Sequence, residues 1–512
     1  MTSYSSQGYG GSRRAIRWRA VAAVAGVAVL AACSDTNVPF FVAPTSVAAT
    51  PGGIQNAITG LFSSTRVDIG GFVTTVGAGY SRDGAAFLNT EARTVEYPLG
   101  VFPTPTSSGG DWTQEYQNIL QAQQILATIP NVTPAYSAAG QAAVTGVVRT
   151  MQAYNYMVIA EAHDTLGAAI LPVGLTSSAQ APAYCNPDVW KYIVALLDSA
   201  NGNLTAAGAT PIPLTMPTGF AGVSRTAAPA SAVGSFASFN RALAGKANLE
   251  LAYAMVRQRH TNAPTPSSPG APDAGALAAA MTDLTASAMY NPGSLGPDPQ
   301  TFAASSFTVT HDFSGASGDA VNPIQGELAL LAQLNDFVTD VDTAHDLRWK
   351  TKFGLNPHQV QQQFYNPVAS KYIPTMYPSP NSPLPIVREV ELVLWHAQIL
   401  MGQGQYAAAL GDVNNVRQIV GGLAPYPASD ANTYTTLRAD LMREQRISTS
   451  WEGSIDRTIA IRMYGMAAIS DTTWAHEDAN VTSPDAHTTV NPIPFAELTG
   501  RGGTFSTTCS VH

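Results

Sequence analysis

Three cysteines in 512 residues are too few for a disulfide-built scaffold, and Cys33, Cys185 and Cys509 form no Cys-x-x-Cys spacing of the kind a thiolate zinc site uses. Charge is also scarce: charged residues make up 12% of the chain, against about 25% in an average soluble domain. Lys and Arg total 26 against 35 Asp and Glu, a formal net charge of −9. That balance argues against nucleic acid as a partner, because phosphates demand a basic patch. It equally disfavours electrostatic adhesion to anionic lipid. The apolar run Ala20 to Ala32 falls well short of the ~20 residues that a membrane-spanning helix needs. Common catalytic signatures are missing too. There is no His-Glu-x-x-His and no Gly-x-Ser-x-Gly, and Gly245-Lys246 is followed by Ala247 where a phosphate-binding loop requires Ser or Thr.

What is present starts at the N-terminus. Arg13, Arg14, Arg17 and Arg19 precede the apolar run, which ends at Cys33. These are the proportions of an export signal, predicting a signal peptide over residues 1–32. Leu30-Ala31-Ala32-Cys33 resembles the bacterial lipobox, in which the cysteine thiol is acylated and becomes the new N-terminus. Membrane attachment then rests on covalent lipid at Cys33, each buried methylene contributing about 0.8 kcal/mol. Ser12-Arg13-Arg14 leaves twin-arginine export open beside the general route. With Cys33 acylated, one cysteine pair remains, and an oxidising compartment permits a Cys185–Cys509 disulfide. Residues 33–51 are polar and proline-dotted and read as a lipid-anchored tether, leaving 52–512 as the folded domain.

Periodicity of 3.6 residues predicts a mainly α fold. Gly53 to Arg66 carries Ile54, Ile58, Leu61 and Phe62 on one side, and Asp111 stands before the stripe Trp112, Tyr116, Ile119, Leu120 and Leu126. Further helices are expected over 138–162, 188–204, 235–259, 273–290, 325–341, 388–400, 405–420 and 434–451. They come in pairs with Pro/Gly breaks, and the pair 388–420 approaches the ~34-residue length of a tetratricopeptide unit. A tetratricopeptide-like helical-pair superhelix is therefore expected. Long irregular stretches over 67–110, 291–323 and 349–385 separate the helices, and loops of that length tend to carry function.

The order of several motifs resembles the RagB/SusD family of nutrient-uptake lipoproteins. Arg149-Thr150-Met151-Gln152-Ala153-Tyr154, Asp346-Leu347-Arg348, Lys371-Tyr372 and Pro385 to Glu391 each look like a segment of that family. Asn415-Val416-Arg417, Arg443-Glu444-Gln445-Arg446, Trp451-Glu452-Gly453 and Pro492-Ile493-Pro494 do likewise. The chain departs from the family pattern at Ile455, where an arginine is expected, and at His396-Ala397, where an acid is common. The resemblance implies a SusD-like helical fold on the cell surface, anchored in the outer membrane. It also implies a TonB-dependent, SusC-like transporter as partner, to which a glycan or peptide nutrient is passed, and no cofactor.

Candidate binding residues follow from what a sugar needs. Pyranose C–H faces stack on aromatic rings while Asn, Asp and Arg hold the hydroxyls. Tyr80, Arg82, Asp83, Phe87 and Asn89 offer that mixture in the first long stretch, and Trp349, Tyr365 and Tyr372 in the third. Trp112, Trp395 and Trp451 lie on helical stripes and are assigned to the core. Two acidic groups, Glu161-His163-Asp164 and His476-Glu477-Asp478, read as solvated turns and not as metal sites. Glu389 and Glu391 diverge by about 200° on a helix and cannot act as a glycosidase pair, so no enzyme activity is expected. A helical-repeat scaffold that binds only protein partners is the alternative.

Overall fold

The computed structural model describes residues 47–67, 69–86, 110–174, 181–259, 271–297, 302–314, 319–326, 328, 330–357, 370–464 and 490–510. Apart from Gly174 these belong to one compact unit, Ser46–Val173 with Ala181–His512.

The helices begin where the sequence supplies caps. In α1, Pro51–Ser64, the Thr50 hydroxyl accepts from the Gly53 N–H and Pro51 occupies the first turn, where its missing N–H costs nothing. α2 spans Gly110–Thr128. α3, Ala138–His163, is capped by Ser137 and buried nearly all round in its second half, the mark of a central helix. α4 is Asn186–Ala207, α5 Phe236–Arg259 and α6 Ala274–Ala286. α7, Glu389–Gly402, opens with the Glu391 carboxylate accepting the Arg388 N–H at 2.6 Å. α8, Tyr406–Asn415, runs on as a π-helical turn, Val416–Val420. α9 is Tyr434–Thr449 and α10 Asp456–Tyr464.

Each of these helices packs against the next one in sequence, from α1 through α10. That neighbour-on-neighbour stacking is a tetratricopeptide-like superhelix, and the mainly α expectation holds. Small residues set the spacing. A Cβ on Gly245 of α5 would lie 3.2 Å from the Leu284 backbone of α6, so a larger residue would push the two helices apart.

Among the described residues, four two-stranded antiparallel ribbons decorate the stack. β1, Gly84–Ala86, pairs with β5, Leu331–Gln333; β2, Ala168–Ala169, with β3, Ala183–Tyr184. β4, Thr308–His311, pairs with β8, Leu384–Arg388; β6, Phe353–Leu355, with β7, Tyr372–Pro374. Cys185 and Cys509 are disulfide-bonded, their Cα atoms 5.1 Å apart, beside backbone bonds between Thr508 and both Cys185 and Ala183.

Two segments depart from the expected pattern. The helix predicted over 325–341 is a helical turn Pro323–Gly326, then β5, then a short helix Asn335–Asp340. Leu331 to Leu334 are all buried, so the segment has no solvent face for an amphipathic helix and pairs instead with β1. The stretch after Val67 is not irregular at its start: Phe72–Gly79 is π-helical and buried against α10. Ile69, Phe72, Val73 and Val76 fall at helical spacing and are all buried, so this part of the expected irregular stretch does carry a helical stripe.

Candidate functional site

Tyr80, Arg82 and Asp83 follow the π-helical turn directly and are almost wholly buried. The Tyr80 hydroxyl donates to Asn491 Oδ1 at 2.6 Å. Arg82 adopts φ 57°, the left-handed region that a long side chain seldom enters, and its carbonyl accepts from Arg446 Nη2 at 2.9 Å. Arg446 also donates from Nε to Asp83 Oδ1 at 2.8 Å and from Nη1 to Asp340 Oδ2 at 3.2 Å, while its guanidinium lies 5.1 Å from the Phe337 ring centre. Burial raises the Asp83 pKa even with Arg446 alongside. Arg82 and Asp83 thus join this segment to α9 inside the protein, and Tyr80 joins it to Asn491.

Trp349 is likewise buried, its ring 5.0 Å from Phe353 and 4.9 Å from Tyr372. Tyr372 is half-buried at the start of β7, the only one of the described candidates with an appreciable accessible face. Cys33, Phe87, Asn89, Tyr365 and the group at 476–478 lie outside the described residues.

The carboxylates and imidazole of Glu161, His163 and Asp164 are buried and not solvated as expected. Glu161 is 2.9 Å from Lys246, which also lies 3.3 Å from Asp456; Asp164 is 3.0 Å from Arg257. His163 Nδ1 is 3.0 Å from the Asn491 carbonyl, which can only accept, so Nδ1 carries the proton. Burial lowers the His163 pKa, favouring the neutral ring over a cation at the helix end. Among the described residues no three His, Cys, Asp or Glu side chains are grouped to hold a metal ion.

A solvent-open cleft of about 200 Å³ lies where the helix Asn335–Asp340, a second short helix Leu347–Lys352, the end of α8 and α9 converge. It is lined by Asp340, Val341, Asp342, Asp346, Arg348, Arg417, Leu423, Arg443, Glu444 and Ile447. The floor is a closed ionic set. Arg348 binds Asp346 through Nε and Nη2 at 2.9 and 2.7 Å, and Glu444 through Nη1 at 2.5 Å. Burial pulls the Arg348 pKa down, but Glu444 and Asp346 outweigh it and raise the value, keeping the guanidinium charged. Arg417 donates to Glu444 at 3.0 Å and lies over the Tyr426 ring at 4.1 Å; the Tyr426 hydroxyl donates to the same carboxylate at 2.9 Å. Toward the rim Arg443 is 3.3 Å from Asp340. Burial works against the Asp340 carboxylate, yet Arg446, Arg457 and Arg443 together hold its pKa below the ordinary range.

Arg417, Tyr426, Arg443 and Glu444 were not singled out as binding residues. Arg417, Arg443 and Glu444 were visible only as pieces of family-like motifs, with nothing in their spacing to announce a cleft. Its walls come from segments about a hundred residues apart.

No sequence-family model matches the chain, and no curated protein matches it by sequence. Solved structures do match in shape. A SusD homolog from Bacteroides thetaiotaomicron gives a TM-score of 0.63 at 13% identity, covering 89% of this chain and 96% of its own. B. fragilis NanU gives 0.60 at 14%, with 90% and 98% covered. A Bacteroides vulgatus protein assigned by name to sugar binding gives 0.61 at 14%, with 89% and 97% covered. At this identity the shape match shows a fold shared with solved SusD-superfamily structures and nothing beyond the fold.

Proposed function

We propose, from the SusD-superfamily fold, that this chain is a nutrient-binding lipoprotein of the outer membrane that captures a glycan at the cell surface. It hands the glycan to a TonB-dependent, SusC-like transporter and does no chemistry on it. The observation that carries the reading is the match across about nine-tenths of the chain to structures that include one named for sugar binding.

Three features support it. Arg13 to Cys33 has the form of an acylated export signal, which would place residues 33–51 as a tether and 52–512 as the binding domain. No helix among the described residues is long and apolar enough to cross a membrane, so a lipid on Cys33 would supply the attachment. The cleft beside α9 mixes guanidinium, carboxylate and apolar groups, the combination that orients a hydroxylated ligand.

A thermal-shift panel of oligosaccharides and peptides against the purified mature protein tests the reading. A glycan is expected to raise the unfolding temperature and to be recovered uncleaved. A peptide as the sole stabiliser would change the ligand class, and cleavage of the glycan would overturn the binding-only role. A scaffold for protein partners would respond to neither class.

A further inference from the structure

We propose that the cleft bounded by Asp340, Asp342, Arg417 and Arg443 is a subsite for a single uncharged sugar ring; the proposal rests on the glycan-binding reading above. Size sets the first limit. About 200 Å³ holds about six waters at ~30 Å³ each, enough for one pyranose and below the ~300 Å³ where pockets for larger ligands begin.

Charge sets the second limit. The buried members of the lining, Asp346, Arg348 and Glu444, are already committed to one another. The groups that still face solvent are Arg443 at 41% and Arg417 at 21% side-chain exposure, against Asp342 at 44% and Asp340 at 24%. Two cations therefore meet two anions. A ligand carboxylate at Arg443 would meet Asp340, 3.3 Å from that guanidinium, as a like charge, and a ligand ammonium at Asp340 would meet Arg443 and Arg446 in the same way. Vicinal hydroxyls carry no net charge and do both jobs at once, accepting from a guanidinium and donating to a carboxylate. Capacity remains for them. The hydrogen bonds that Arg417 makes run from Nε and Nη1, and Nη2 takes none of these. Asp342 meets the His345 ring and backbone, and His345 is itself largely exposed. Val341, Leu423 and Ile447 supply apolar wall for the C–H edge of the ring. Rigidity favours the role as well, because the ionic floor beneath holds Arg417 before any ligand arrives.

Saturation-transfer NMR on the full-length mature protein, with methyl glucoside, methyl galactoside, methyl mannoside and glucuronate as probes, tests the proposal. At least one neutral glycoside is expected to receive saturation, and glucuronate to bind about tenfold more weakly. Arg443→Met and Asp342→Asn are each expected to weaken the neutral ligand about tenfold, the loss of one charge-assisted hydrogen bond. Asp342 lies at the surface, so its variant keeps the fold and separates binding from stability. Preference for glucuronate overturns the proposed ligand class. Undiminished binding by both variants, in a protein that still binds glycan, overturns the subsite and leaves the glycan-binding function standing. Absence of binding to any sugar or glycan overturns both.

Discussion

The Arg446 guanidinium donates from Nε to the Asp83 carboxylate at 2.8 Å, across 363 positions of sequence. Asp336 and Asp340 lie 3.6 and 3.2 Å from the same guanidinium, with Arg82 3.4 Å from Asp336 and Arg443 3.3 Å from Asp340, so acids drawn from two distant segments share a small set of cations centred on Arg446. Removing a partner from such a cluster leaves charge without compensation in a poorly solvated place. Arg446→Met is accordingly expected to cost about 3–5 kcal/mol of unfolding free energy, read from urea denaturation of the purified protein. Asp83→Asn keeps the shape and loses only one acid, and its cost is expected to be smaller. Equal and small effects from both variants would mean that the cluster contributes little.

The buried acids also make a pH prediction. Glu250 on α5 is buried, and that burial raises its pKa from 4.5 to about 8, against the opposing pull of Arg257 3.6 Å away. The folded state therefore binds a proton that the unfolded state gives up near pH 4.5. Its contribution to stability is complete below that pH and is lost as pH rises toward 8, with a slope of at most about 1.4 kcal/mol per pH unit. Chemical denaturation at pH 5, 6.5 and 8 should show part of this decline, and Glu250→Gln should flatten that part. A wild-type protein whose stability rises steadily over the same range, with the variant tracking it in parallel, would contradict the assignment.

Most helices were legible in the sequence, and the reason is visible in their surroundings. α1, α2 and α4 each bury one face, so Ile54, Ile58, Leu61 and Phe62, or Trp112, Tyr116 and Ile119, recur at the period of the helix. The pattern fails where an element is buried on every side. Leu331–Gln333 lies inside, and no alternation with exposed residues marks it. Three of the candidate residues are buried for a related reason. Tyr80, Arg82 and Asp83 have the composition of a binding loop, but Arg82 and Asp83 are taken up by internal ion pairs and Tyr80 by a buried hydrogen bond. An isolated sequence does not distinguish an Arg–Asp pair that closes on itself from one that faces solvent. The cleft was hidden because Asp340, Arg417 and Arg443 meet only after α8 and α9 have folded against the two short helices.

The joined sulfurs of Cys185 and Cys509 tie the C-terminal segment to the start of α4, where Ser510 N–H also donates to Asp188 at 2.6 Å. Titration of unreduced mature protein in denaturant should find neither thiol free. Reduction should lower the unfolding temperature, since the bridge spans 324 positions and long loops gain most from closure, about 2–5 kcal/mol. Two reactive thiols in the untreated protein would exclude the bridge in solution.

The proposed reading rests membrane attachment on the Cys33 sulfur. Cys33→Ala is expected to move the protein from the membrane fraction to the soluble exported fraction, with its unfolding temperature unchanged. Mass spectrometry of the wild-type N-terminal peptide should find acyl chains on Cys33 and nothing of residues 1–32. An intact leader on wild-type protein in the cytosol would dismiss both export and anchor.

Trp349 and Tyr372 lie 4.9 Å apart in an edge-to-face pair, yet their exposure assigns them different duties. Trp349 is enclosed by Phe337, Phe353 and Tyr372. Trp349→Ala should therefore act as a core truncation, costing about 3–5 kcal/mol. Tyr372 keeps part of its ring accessible, so Tyr372→Ala should cost stability less. If it is also a stacking platform, it should weaken a bound glycan by about 1 kcal/mol, or about fivefold in Kd. Measuring unfolding free energy and glycan affinity for both variants separates the two effects. Affinity unchanged in Tyr372→Ala would remove the last described member of the predicted aromatic set from the binding surface.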